Sequence, residues 1–178
     1  MGELHRAHIL NWAAFSRFQM GNWDGVLELF DEAAELLRER LDDPPYFMAG
    51  IVGAAAFVRA AREEPDAALM RSLERIRGTV HSGSVIASYW LAWLRARGGD
   101  LAGALDALAD GELVRHRVVQ PFQEQVAAEI LALAERWDDV PALLARARTY
   151  ASEAGLLALP VHLDRLEGRA ALAAGDRE

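Results

Sequence analysis

The sequence predicts an all-α fold, an α-solenoid of antiparallel helix pairs, on three observations. Short polar turns recur along the chain, apolar residues between them fall at helical spacing, and strand-like alternation is nowhere sustained. The turns are Gly21-Asn22-Trp23-Asp24-Gly25, Glu63-Glu64-Pro65-Asp66, Gly98-Gly99-Asp100, Glu135-Arg136-Trp137-Asp138-Asp139 and Gly175-Asp176. Glycine and proline stop a helix, and an aspartate just after them caps the next helix by accepting its first backbone N–H bonds.

The elements follow in order. Ile9, Trp12, Ala13 and Ser16 place a helix over Leu4 to Met20, ended by Gly21, and Leu27, Phe30, Ala34 and Leu37 place the next over Asp24 to Leu41. A third runs from Tyr46 to Arg62 and includes the nearly apolar run Met48 to Val58. Asp66 opens a helix that ends at Arg77, and Ser84 caps one from Val85 to Arg97. The remaining helices are expected over Asp100 to Asp110, Pro121 to Glu135, Asp138 to Ala154 and Pro160 to Ala174. Val114 to Val119 reads as loop or frayed helix.

Marking the turns at Gly21, Glu63, Gly99, Glu135 and Gly175 gives spacings of 42, 36, 36 and 40 residues, in the range of solenoid repeats. Seven residues before the marks stand Ala14, Ala56, Ala92, Ala128 and Gly168; five after stand Val26, Ala68, Ala104 and Val140. Small or β-branched side chains facing each other let the two helices of a pair approach closely before the pairs stack.

This pattern resembles tetratricopeptide repeats over nearly the whole chain, 1–178, as one domain of roughly four and a half helix pairs. The resemblance implies a right-handed superhelix in which the first helix of each pair lines a concave surface. Gly21 to Ala33 and Trp137 to Ala147 match the pattern best, whereas Arg75 and Gly111 stand where those two units carry alanine. A second resemblance rests on Gly21-Asn22-Trp23-Asp24 and on Leu166 to Asp176. Those segments are similar to the helical arrays of large bacterial regulators that carry an ATPase module with LuxR-type DNA-binding or nucleotide-cyclase domains. It implies that this chain is the sensing or interaction segment of a larger protein in transcriptional regulation or signal transduction.

Composition narrows the chemistry. The net charge is −8, and the chain lacks cysteine and lysine, all 19 basic residues being arginine. An acidic chain without a basic tract repels phosphate, so direct nucleic-acid contact is not expected. Disulfides, cysteine zinc sites, a phosphate-binding loop lysine and Schiff-base chemistry are excluded. The polar N-terminus and the absence of a long apolar span predict a cytoplasmic chain without membrane contact. No cofactor, metal or catalytic residue is expected. Glu3, His5 and His8 read as a solvated helix end, and the carboxylate pairs Asp42-Asp43, Glu63-Glu64 and Asp138-Asp139 as turn caps. His81 beside Ser82 and Ser84 lacks the third member of a triad. Asp31, Glu32, Glu35, Arg38 and Arg40 read as a charged outer face.

Candidate groove residues lie six before each mark, namely Phe15, Phe57, Trp93, Glu129 and Arg169, and one turn earlier, namely Asn11, Gly53, Tyr89, Gln125 and Arg165. The concave face is then aromatic at one end and polar to charged at the other. Phe18, Phe30, Trp12 and Trp90 are assigned to the core. The expected function is non-enzymatic binding of a protein or peptide. The alternative is a small-molecule sensor holding an apolar or aromatic ligand among Phe15, Phe57, Tyr89 and Trp93, and an enzyme is the third reading. The final helix carries Leu163, Leu166, Ala170 and Ala173 with Val161, Leu172 and Ala174 nearby, which predicts either a continuing array or a homodimer through that helix.

Overall fold

Gly21, Glu63, Gly99, Glu135 and Gly175 share a left-handed backbone, with φ of 74°, 64°, 87°, 58° and 88°, and among the described residues no other residue has one. These are the five turn positions marked from the sequence. The structure is a computed structural model, and it describes residues 2–38, 43–109, 119–154 and 159–175. The expected helix end at Leu41, Arg40, Asp42, Asp110, Gly111, the stretch from Val114 to Val118 and Asp176 lie outside the described residues.

The first four marked residues close a helix in the same way. The mark's N–H reaches the carbonyl three residues back, and the next N–H reaches the carbonyl five residues back. The latter bonds, Asn22 to Arg17, Glu64 to Arg59, Asp100 to Arg95 and Arg136 to Leu131, all measure 2.9 Å. This is the Schellman arrangement, which satisfies the last carbonyls of a helix only if the following residue is left-handed. Gly175 makes the first of the two bonds, to Leu172 at 3.2 Å.

Nine α-helices form among the described residues, and no strand does: α1 Glu3–Gln19, α2 Trp23–Leu36, α3 Ala49–Ala61, α4 Ala67–Arg77, α5 Ser82–Arg97, α6 Leu101–Ala109, α7 Gln120–Leu133, α8 Val140–Ala154 and α9 Leu159–Ala174. Single 3-10 turns, Tyr46–Met48 and Trp137–Asp139, lead into α3 and α8. Each helix packs on its neighbour in the chain, and the odd-numbered helices also pack on one another in sequence, α1 on α3, α3 on α5, α5 on α7 and α7 on α9. No helix among the described residues is long and apolar enough to cross a membrane.

Side chains repeat with the turns. Asn22, Asp66 and Asp100 each cap the second helix of their pair, accepting from Gly25, from Ala68 and Leu69, and from Gly103. Partial burial pushes the Asp66 carboxyl up, but the Leu69 and Ala68 N–H groups and the Arg59 guanidinium outweigh it and hold it below the usual carboxylate range. Four residues before the mark, Arg17 and Arg95 reach the carbonyls of Gly25 and Gly103, both at 3.0 Å. Two residues after the mark, Trp23 meets Phe57 and Trp137 lies under Arg169, both partners being in the next first helix.

Ala14, Ala56, Ala92 and Ala128 are buried, as are Val26, Ala104 and Val140. Two positions depart from that register. Ala68 is exposed and Leu69 is buried instead, because Glu64 and Pro65 stand between the mark and the Asp66 cap and shift α4. Gly168 is exposed because α9 has no second helix over it among the described residues. α9 buries Leu159, Leu163 and Leu166 but exposes Val161 and Leu172. Ser84 does not cap α5. The helix starts two residues earlier, at Ser82, and the Ser84 N–H bonds the His81 carbonyl at 2.9 Å. The early start requires Gly83, because a Cβ there would overlap the Tyr46 backbone carbonyl.

Two substitutions test this packing. Left-handed Glu135 carries strain of about 1–2 kcal/mol that glycine lacks, offset by glycine's greater chain entropy. Glu135→Gly therefore raises unfolding free energy by about 0.5–1 kcal/mol in urea titration. Gly53→Ala drives a methyl into the Trp90 indole ring and lowers the same quantity by about 3 kcal/mol.

Candidate functional site

The aromatic residues of the candidate groove register come together, but as core. Phe15, Phe57 and Trp93 are 6%, 5% and 8% exposed, so the expectation of an accessible aromatic stripe is overturned. The cause is a ring cluster that spans four first helices. Phe18 of α1 meets Phe57 of α3 at 5.2 Å and Trp90 of α5 at 5.0 Å. Phe57 lies 4.3 Å from Trp93, and Phe122 of α7 meets Trp90 at 4.7 Å and Trp93 at 5.7 Å. Phe15 closes the set on Phe122 at 5.5 Å, edge to face. α1 and α7 are two pairs removed from being neighbours, and their side chains still touch.

The other groove candidates follow. Asn11 is buried, and its Oδ1 accepts from the Ile51 N–H at 2.9 Å, supplying the first turn of α3 with an acceptor. Gly53 lies under the Trp90 ring. Gln125 is buried and donates to Glu129 at 3.0 Å, while the other Glu129 oxygen accepts from Trp93 Nε1 at 2.8 Å. Asn11, Gly53, Tyr89 and Gln125 are therefore corrected from groove lining to buried positions, as Phe15, Phe57 and Trp93 are. Glu129 is half-buried, and Arg165 and Arg169 are exposed. Of the four aromatics assigned to the core, Phe18, Phe30 and Trp90 are buried and Trp12 is partly buried. His8 accepts from Trp12 Nε1 at 2.8 Å and packs on Phe47. His81 stacks on Tyr46 at 4.5 Å. Among the described residues no group of three His, Asp or Glu side chains is placed to hold a metal ion.

Open space lies elsewhere. A cleft of about 500 Å³ is lined by Tyr89 of α5, Leu105 and Leu108 of α6, Gln120, Gln123, Glu124, Ala127 and Leu131 of α7, and Leu143, Arg146 and Tyr150 of α8. Its volume falls in the range of ligand pockets. Gln120 Nε2 donates to the Tyr150 hydroxyl at 2.7 Å. Arg146 grips Glu124 with two bonds of 2.9 and 3.0 Å, and the Glu124 hydrogen bond raises its pKa against the effect of burial. Arg136, at the rim, is held by Asp139. Gln123 is 5% exposed, and among the described residues nothing hydrogen-bonds its carboxamide.

The sequence held a signal for this cleft that the groove register does not use. Gln120, Gln123 and Glu124 fall at i, i+3 and i+4 on α7, a polar stripe apart from Gln125 and Glu129 of the groove register, and Arg146 and Tyr150 fall at i, i+4 on α8. No protein-family model, curated protein or solved structure matches the chain.

The stripe's burial changes what a substitution there does. Trp93→Ala removes an indole held by four ring contacts and by Glu129, and costs about 3–5 kcal/mol of unfolding free energy. Arg169→Ala, at the exposed end of the same register, changes it by no more than about 0.5 kcal/mol. Guanidinium titration followed by circular dichroism reads both.

Proposed function

We propose that this chain is a non-enzymatic protein- or peptide-binding module, a tetratricopeptide-like right-handed solenoid that serves as the interaction part of a bacterial regulator. The repeated Schellman turns and the packing of each odd-numbered helix on the next support the solenoid reading. The observation that carries the binding reading is the α5–α8 cleft, where Gln123, a residue only 5% exposed, lines the open space and makes no side-chain hydrogen bond among the described residues. Trp90 Nε1 is the one fully buried side-chain polar atom without a partner among the described residues, so the Gln123 amide keeps access to the open space, where an entering group would replace water on it. The aromatic row is filled by its own side chains, so the docking place moves from the concave face to this cleft.

A second reading concerns assembly. Val161 and Leu172 are 69% and 66% exposed on α9, which favours a homodimer through that helix. Sedimentation across a concentration series reads it, and a monomer at every concentration contradicts it.

Peptides selected from a random library against the wild-type chain test the binding reading. Their addition is expected to shift the amide resonances of α6, α7 and α8. Leu143→Trp narrows the cleft from a half-buried position, and it is expected to weaken binding about tenfold or more while leaving the helical circular dichroism unchanged. Binding that Leu143→Trp leaves intact contradicts the assignment.

A further inference from the structure

Two features of the cleft bear on what enters it. The first is charge. Both guanidiniums that line it are already engaged, Arg146 by both oxygens of Glu124 and Arg136 by Asp139. A carboxylate or phosphate entering the cleft meets guanidiniums whose charge is already balanced, and drawing Arg146 away would leave Glu124, whose side chain is 13% exposed, without its cation. The cleft thus offers an anion no free positive charge.

The second is hydrogen-bonding character. Gln123 presents one carbonyl acceptor and an NH₂ donor. An anion satisfies only the donor and an ammonium only the acceptor, while an amide satisfies both at once through its own C=O and N–H. Gln120 spends a donor on the Tyr150 oxygen, so the Tyr150 O–H points its hydrogen elsewhere and gives a second position for a carbonyl. Leu105, Leu108, Ala127, Leu131 and Leu143 supply the rest of the lining, a surface for an aliphatic group.

We infer that the α5–α8 cleft binds a neutral amide attached to a branched aliphatic body, with Gln123 paired to that amide as both donor and acceptor. The inference rests on the reading of the chain as a binding module. The chemistry is shared by a polypeptide segment, through its peptide groups and leucine-like side chains, and by a free small amide.

Three probes separate the outcomes on the full chain. They are acetyl-Gly-Leu-Ala-Leu-Gly-amide, N-methyl-4-methylpentanamide and 4-methylpentanoate, which has the same branched body with a carboxylate and no amide. Each is titrated while the Gln123 side-chain NH₂ resonances are followed. The two amides are expected to shift those resonances and to bind about tenfold or more tightly than the carboxylate. Binding by the pentapeptide alone identifies a polypeptide as the source, and equal binding by the small amide identifies a free small ligand. Gln123→Met keeps the side chain's length and removes both hydrogen-bonding groups, and it is expected to erase the preference of amide over carboxylate. Gln123→Glu, the same shape with acceptors only, is expected to weaken the amides as well, so a folding defect in one variant does not decide the matter. Carboxylate binding as tight as that of the amides overturns the inference, as does failure of all three probes to move Gln123. Library peptides that shift residues on another face, with Gln123 unmoved, leave the binding-module reading standing and overturn this one.

Discussion

Trp90 lying on Gly53 is the contact on which the rest of the packing depends. The indole is fully buried and occupies the space a Cβ on residue 53 would fill, so the α5 side chain lies directly on the α3 backbone. From there the ring reaches Phe18 on α1 and Phe122 on α7. One residue thereby joins four first helices that a simple stack would connect only in succession. Its Nε1–H is buried with no acceptor among the described residues. That costs about 1–3 kcal/mol, and edge-to-face ring pairs such as Trp90–Phe18, at about 0.5–1.5 kcal/mol each beyond area burial, offset it.

This cluster changes what the array can do. When the first helices of a solenoid leave a concave channel, the channel is available to a partner. Here Phe15, Phe57, Trp93 and Phe122 pack on one another between the first helices, and Trp93, Gln125 and Glu129 join by hydrogen bonds beside them. Space remains beside α7, where Gln120 meets Tyr150, Glu124 meets Arg146 and Gln123 lines the cleft between α5 and α8. Surface ion pairs such as Arg62–Asp24 and Arg77–Asp106 link successive pairs, but exposed pairs contribute about 0–1 kcal/mol each and do not set the geometry.

Turn positions were legible because they are local. A left-handed residue after a helix favours glycine, and a polar cap follows it within a few residues, so Gly21, Gly99 and Gly175 announce themselves. Glu63 and Glu135 have no such composition signal and were reached only through register. The small residues of the pair contacts were legible for the same reason, except at Ala68, where the extra Glu64-Pro65 displaced the helix. Which side of a first helix is open was not legible. Phe15 reads as concave-facing on its own helix, but its burial is decided by Phe122, far along the chain, and no periodicity encodes that distance. The Gln123 stripe was present in the pattern, yet its meaning depended on α8 bringing Arg146 and Tyr150 opposite it.

The central claim is that the aromatic cluster makes the helix pairs one cooperative unit instead of a string of nearest neighbours. Native-state hydrogen exchange across a denaturant series tests it most directly, because it reads the opening free energy of each amide. The slowest amides of α1, α3, α5 and α7 are predicted to merge on one denaturant-dependent line with the free energy of global unfolding. A separate, lower-energy opening of α1 and α2, with α5 and α7 still protected, would contradict the account.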